Sequence, residues 1–306
     1  MCCLYSRPAP LGSVLCTNDN AKAHDPRPFP DWYRSASGPA GGSRQRSRHR
    51  VQSGLLTDRV PGQAVMAELL AVRERDAPRS RLGRVFGLDP LTADSRPWYT
   101  GAVGELAVAR VLARLGPEWT VLHAVPVGAG TSDIDHVLIG PAGVYTVNTK
   151  NHSNQRIWVA GRTLMVAGTR QRYLPNAMHE AARAAKLLSA AAGLAVEVTG
   201  VLVFVEPKGI TVRERPESIT VLSDGQLLRW LNRRRPVLTP EQIARIVAVA
   251  ALPGTWHRQP AAPGDAIALQ RGFAALRTEV GGLDDGGRHG RLPSRPVSSL
   301  LFSNFR

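Results

Sequence analysis

Asp133, Asp135, Asn148 and Lys150 are the residues of this sequence best spaced to do chemistry together. They lie within residues 131–152, TSDIDHVLIGPAGVYTVNTKNH, which read as two short alternating strands, 133–139 and 144–150, around the turn residues Gly140-Pro141-Ala142-Gly143. If Ile139 faces Val144 across that turn, antiparallel register sets Asp135 opposite Asn148 and Asp133 opposite Lys150. Side chains alternate along a strand, so all four fall on one face, with Val144 and Thr146 further down it. Two carboxylates, a neutral oxygen donor and an ammonium suit a divalent metal ion with a charged helper beside it. A solvated hairpin face carrying a cross-strand Asp–Lys pair has the same spacing, and spacing alone slightly favours it. Composition shifts the weight: Lys22, Lys150, Lys186 and Lys208 are the only lysines among 39 basic residues, so a lysine here is not the chain's default cation. His136 points to the other face and reads as structural.

The elements that must position this hairpin follow from periodicity. Upstream, residues 103–115 have helical spacing, with Val103, Leu106, Ala107, Val111 and Leu115 as the buried stripe and Gly116-Pro117 as the stop. Glu105 sits beside that stripe, where an early-turn acid is also favoured by the helix dipole. Residues 119–127 form a strand leading into the hairpin. Residues 157–159 and 163–166 flank Ala160-Gly161-Arg162 as a second, smaller hairpin. The longest helix spans 176–192, with Asn176 as N-cap and Gly193 as stop, and Met178, Ala181, Ala185, Leu187 and Leu188 for the core. Its Arg183 and Lys186 read better as a solvated face than as phosphate ligands. Residues 198–205 are apolar throughout and suit a central strand covered on both sides. A short strand at 219–222 and helices at 224–232 and 240–252 close the domain, the last opened by Thr239-Pro240-Glu241.

The flanks read differently. Residues 1–65 carry Pro, Gly, Ser and Arg clusters without a sustained period and are expected to be a disordered basic segment; 66–97 is a linker with room for one short helix; 98–257 is the folded domain; and 258–306 is a second disordered tail. Met66 opens a better beginning than Met1, and a natural start near Met66 is expected. Cys2, Cys3 and Cys16 all lie in the first segment, so the core has neither a disulfide nor a thiolate metal site. Acylation of Cys2-Cys3 is weighed against a pair of idle thiols, which is favoured. No signal peptide and no apolar run of the ~18 residues a membrane span needs is evident, so no membrane contact and a cytoplasmic location are expected. The net charge is +15, but residues 98–257 hold 17 basic and 11 acidic residues, an excess of six. That helps phosphate binding without demanding it. No base-reading motif appears, and Arg233-Arg234-Arg235 reads as a solvated helix end.

Three blocks in order resemble a known family. Gly101-x-x-Gly104-Glu105, Asp133-Ile134-Asp135-His136 and residues 143–151, GVYTVNTKN, are similar to the NERD (nuclease-related) domain, itself similar to the PD-(D/E)xK restriction-endonuclease-like nucleases. The resemblance covers about residues 98–252. It implies an α/β fold with an αβββαβ core and a mixed central sheet flanked by helices. It implies that Asp135 matches the first metal-binding aspartate, Lys150 the lysine of the E-x-K signature and Glu105 the acidic residue of the preceding helix. Asn148 departs from the pattern, standing where the signature has Glu or Asp; a neutral amide binds a hard cation more weakly than a carboxylate, and Asp133 on the same face is placed to compensate. The implied activity is a nuclease using Mg²⁺ or Mn²⁺ on DNA or RNA without strong sequence specificity, with metal ligands drawn from Asp135, Asn148, Glu105 and Asp133. The alternative is a degenerate nuclease fold that serves as a nucleic-acid-binding or protein-interaction module.

Overall fold

Strands whose residues are buried on both faces along much of their length build the centre of the molecule. In the computed structural model, which describes residues 54–75, 89–128, 132–258 and 265–286, strands β1 (Thr120–Pro126), β2 (Asp133–Gly140), β3 (Gly143–Asn151), β7 (Val198–Val205) and β9 (Ile219–Ser223) form one sheet in the order β1-β2-β3-β7-β9. The first three are antiparallel neighbours, and β7 runs parallel to both β3 and β9. That parallel step needs a crossover, and helix α3 (Tyr173–Ala192) supplies it. The sheet is therefore mixed, and the α/β class and αβββαβ core expected from the sequence are present.

The second hairpin, β4 (Arg156–Ala160) and β5 (Thr163–Val166), belongs to a separate four-stranded sheet with β6 (Thr169–Gln171) and β8 (Gly209–Glu214), in the order β6-β5-β4-β8. Strand β8 left no trace of alternation in the sequence because most of its residues are exposed.

Helices cover both faces of the main sheet. On one face α2 (Ser95–Leu112) and α4 (Asp224–Asn232) press Val108, Leu112, Leu227 and Leu231 against Leu138, Tyr145, Val147, Val201 and Val203. On the other, α3 and α5 (Pro240–Ala250) set Ala184, Leu188, Ile246 and Ala250 against Val137, Ile139 and Val144. Short α6 (Pro253–Trp256) adds the fully buried Trp256 to that layer. Helix α5 begins as expected, with Thr239 and Gln242 capping each other's backbone reciprocally.

Several boundaries differ from expectation, each for a packing reason. Helix α2 starts at Ser95 and takes in Trp98, Tyr99 and Gly101. Its deeply buried stripe is Ala102, Glu105, Val108, Ala109 and Leu112, while Val103, Leu106 and Val111 are only partly buried. A helix covered on one side has a single stripe, but α2 is covered on two. Behind it, α1 (Gln63–Arg75) and α7 (Ala266–Gly286) pack Met66, Leu69, Phe273 and Leu276 against Ala102, Tyr99, Val103 and Leu106. The expected tails are thereby narrowed. Residues 54–65 and 266–286 are folded parts of the protein, and the remainder of both tails, including the three cysteines and the Arg44–Arg50 cluster, lies outside the described residues. Helix α3 begins three residues before Asn176, and Met178 is exposed rather than in the core; its C-terminal Gly193 has φ of 62°, the left-handed stop that was expected. Among the described residues no helix is long and apolar enough to cross a membrane.

Gly104 has a specific reason to be glycine. A Cβ there would lie 3.0 Å from Asn151 Cβ and 3.3 Å from Thr149 Cγ2, so α2 can approach β3 this closely only without a side chain. Gly104→Ala is expected to destabilise the fold by about 1–3 kcal/mol through overpacking. Urea unfolding of the variant checks this, and an unchanged midpoint would show that the helix has room to shift.

Candidate active site

The hairpin turn holds the register inferred from the sequence: Ile139 pairs with Val144, and the ladder continues to His136 and Val147. There it stops. Strand β2 goes on pairing with β1 as far as Asp133, opposite Pro126, and β3 goes on pairing with β7 as far as Asn151, opposite Val205. Each strand keeps its outer neighbour while the two separate from each other, which opens a fork in the middle of the sheet. Asp135 thus does not pair with Asn148 across a continuous ladder. Instead its Oδ2 accepts the Thr149 backbone N–H at 2.6 Å, so the carboxylate closes the crotch of the fork.

Because the sheet is split here, side chains from both helical layers reach the same place. Glu105 comes from α2 on one side; it is only 5% exposed, and its Oε2 has no hydrogen-bond donor. Glu180 comes from α3 on the other side, and its Oε2 accepts from Asn148 Nδ2 at 3.2 Å. Asn148 Oδ1, Glu180 Oε1 and Asp133 Oδ2 are also enclosed and without a donor. Lys150 Nζ lies 5.2 Å from the centre of the Tyr173 ring, and Tyr173 in turn meets His152 Nε2 through its hydroxyl at 2.9 Å. The cross-strand Asp133–Lys150 ion pair is not among the contacts within 4 Å in the described residues.

The electrostatics follow from crowding acids into an enclosed space. Burial first, then repulsion from Asp135 and Asp133, push the Glu105 carboxyl well above its ordinary range, with Lys150 and the Gly62 backbone amide opposing. Burial and the Asp135 charge raise Asp133 to about 7, against the opposing charges of Arg59 and Lys150. Burial raises Asp135 as well, offset by Lys150 and the Thr149 amide. Glu180 is raised to about 8 by burial and the Asp135 charge, with the Asn148 amide and Lys150 opposing. By accessible surface Asp133, Asp135 and Glu180 are only partly buried residues. In Asp133 and Glu180 a carboxyl oxygen, Oδ2 and Oε1 respectively, is nonetheless enclosed.

The fork's outer wall is strained. Ala124, in register opposite Asp135 between the His123–His136 and Val125–Ile134 pairs, has φ of 47°, and its carbonyl accepts from the Arg59 guanidinium. Arg59 is the cation beside Asp133. His136 lies opposite, as expected, with its Nδ1 2.9 Å from His123 Nδ1. Burial depresses both rings, His123 to about 4, so the pair is neutral and structural at ordinary pH.

The donor chemistry suits a hard divalent cation: four carboxylates, an amide oxygen, and enclosed oxygens without donors. Among the described residues no three His, Cys, Asp or Glu side chains stand close enough to enclose a metal ion as they are placed. The agreement with a cation lies in ligand type and in the enclosed oxygens without donors. A cavity of about 540 Å³ beside Ala142–Tyr145 and Arg233–Arg235 is at the turn end of the hairpin, away from the fork.

The structure brings together every site residue expected from the sequence, Glu105, Asp133, Asp135, Asn148 and Lys150, and adds Glu180 and Arg59. Glu180 had a readable signal. It is the one acid in α3, three residues after Ala177 and four before Ala184, and so on the buried stripe of an alanine-rich helix.

Comparison with known proteins agrees with this geometry. Residues 100–205 match the family described as Nuclease-related domain, NERD. An uncharacterized protein of Bacillus anthracis is 39% identical over 69 residues, which cover 21% of this chain and 31% of that protein. This chain therefore spans about a third of the length of that curated relative. No solved structure matches. The match begins at Thr100, just ahead of Glu105, and ends at Val205, the last residue of β7, so the stretch that is similar to the nuclease-related domain encloses the whole fork apart from Arg59.

Proposed function

We propose that the fork is the active site of a cytoplasmic metal-dependent phosphodiesterase that cuts DNA or RNA without strong sequence preference. The observation that carries this reading is the convergence of Glu105, Asp133, Asp135 and Lys150 at the one point where β2 and β3 part. Asp135, Glu105, Asp133 and the Asn148 Oδ1 would hold Mg²⁺ or Mn²⁺. When bound, such an ion polarises a phosphate and lowers the pKa of an attacking water. The chain's own part is to position and to compensate charge. Asp135 is fixed by the Thr149 amide, so its carboxylate needs no reorganisation. Lys150, held near the Tyr173 ring rather than tied to a carboxylate, is free to offset charge that builds on a phosphorane-like transition state. The excess of six positive charges over residues 98–257 favours a polyanionic substrate.

The test is cleavage of mixed DNA and RNA substrates by the full chain with Mg²⁺ or Mn²⁺. Asp135→Ala and Lys150→Ala are each expected to lower the rate by at least ~10²-fold. Cutting that persists in both variants, or that ignores chelator, refutes the assignment. The second reading, a degenerate fold that binds nucleic acid or a protein without cutting, is favoured by Asn148 alone. It predicts salt-sensitive binding that does not depend on metal and no cleavage in any form.

A further inference from the structure

We propose that Glu180 supplies, from α3, the acidic ligand that position 148 lacks, so that the third carboxylate of this site has moved from strand to helix. This rests on the nuclease reading and specifies one of its parts. Glu180 and Asn148 are in direct contact, with Asn148 Nδ2 donating to Glu180 Oε2 at 3.2 Å. Giving its amide hydrogen to Glu180 turns the Asn148 Oδ1 away as a buried acceptor without a donor, and leaves Glu180 Oε1 in the same condition. Two residues in contact, one from β3 and one from α3, thus each keep an enclosed acceptor without a donor. A third comes from the opposite layer: Glu105, 5% exposed, whose Oε2 also lacks a donor. Acceptors collected without donors are matched by a cation.

Stability does not account for Glu180. It lies on the stripe through which Ala177, Ala181, Ala184 and Leu188 meet the sheet, in a helix otherwise free of acids. Among the described residues no cationic side chain lies within 4 Å of it. An alanine or glutamine would fit the same place without the penalty of an enclosed charge. The geometry also bears on Asn148. A glutamate at 148 would put two carboxylates in contact where one now accepts from an amide, so the amide is the partner that Glu180 requires.

The full chain is titrated with Mn²⁺ by calorimetry, beside Glu180→Gln, Asn148→Glu and the double variant that exchanges the two, each checked by circular dichroism for folding. Glu180→Gln keeps an acceptor for the Asn148 amide and is expected to fold, yet to bind Mn²⁺ at least ~10-fold more weakly. Asn148→Glu in the presence of Glu180 is expected to unsettle the metal-free fold by like-charge contact. The exchange variant is expected to recover Mn²⁺ affinity to within a few-fold of wild type, with cleavage following in parallel. Wild-type affinity in Glu180→Gln, or a folded exchange variant that fails to recover, overturns the relocation and leaves the nuclease reading standing. If the wild-type chain itself binds no Mn²⁺, both are overturned.

Discussion

In buffer containing a chelator, the folded chain is expected to lose about 2–3 kcal/mol of stability between about pH 6.5 and about pH 8.5. Asp133 is raised to about 7 and Glu180 to about 8, and Glu105 is raised in the same direction. The unfolded chain releases those protons near pH 4, so across the interval the native state binds more protons than the unfolded one. Stability then falls as pH rises, with a loss that starts above the unfolded-state values and is complete only above the folded ones. The buried histidines act in the opposite sense lower down. His123, depressed to about 4, must take up a proton on unfolding below its ordinary value of 6.5, so its own contribution rises with pH up to that point. Three raised acids outweigh two depressed rings, so the loss begins once the pH passes the unfolded carboxyl values and the histidine gain only softens it below 6.5. Urea unfolding across this range measures the curve, and a flat or rising limb above pH 6.5 would contradict it. Asp133→Asn together with Glu180→Gln should flatten that limb. Added Mn²⁺ should restore stability at the alkaline end most strongly, because an ion that binds only the native state stabilises it by mass action and competes with the retained protons.

The sequence contained the hairpin that organises the site, for a physical reason: strict alternation and a Gly-Pro-Ala-Gly turn leave a single register in which Val137, Ile139 and Val144 face the core together. It did not contain the point at which the ladder splits. The side chains of Asp135 and Asn148 alternate just as well in a continuous hairpin as in a forked one. Whether the strands part depends on β1 and β7 holding them from outside. Glu180 carried a signal in its place on the alanine stripe of α3, but nothing in the sequence named the Asn148 amide as its partner across the gap. The outer layer was invisible because no one segment carries it. Met66, Leu69, Phe273 and Leu276 are sparse in their own stretches and become a core only when α1, α2 and α7 pack together.

Removing residues upstream of Met66 is expected to do more damage than removing a tail should. Leu56 is 1% exposed and packs with Leu122, Val125, Ala250 and Trp256, and its backbone N–H donates to the Ala251 carbonyl at 2.8 Å. Leu56→Ala alone should cost about 2–5 kcal/mol through lost burial and the cavity left behind. A chain that begins at Met66 loses that anchor and three supports of the fork as well. Arg59 bonds the carbonyl of the strained Ala124 and faces Asp133, and the Gly62 backbone amide opposes the raised Glu105. The consequence extends from stability to the site: with Arg59 gone, the Asp135 charge beside Asp133 is less compensated, and Asp133 holds its proton to higher pH. Urea unfolding of the full chain, a chain beginning at residue 54 and one beginning at Met66 separates the contributions. The second should match the first, and the third should unfold at clearly lower denaturant and cleave more slowly at neutral pH. A Met66 chain as stable as the full protein would mean that β1, α5 and α6 close over the Leu56 site without it, and that the fork is carried by the sheet and its two helices alone.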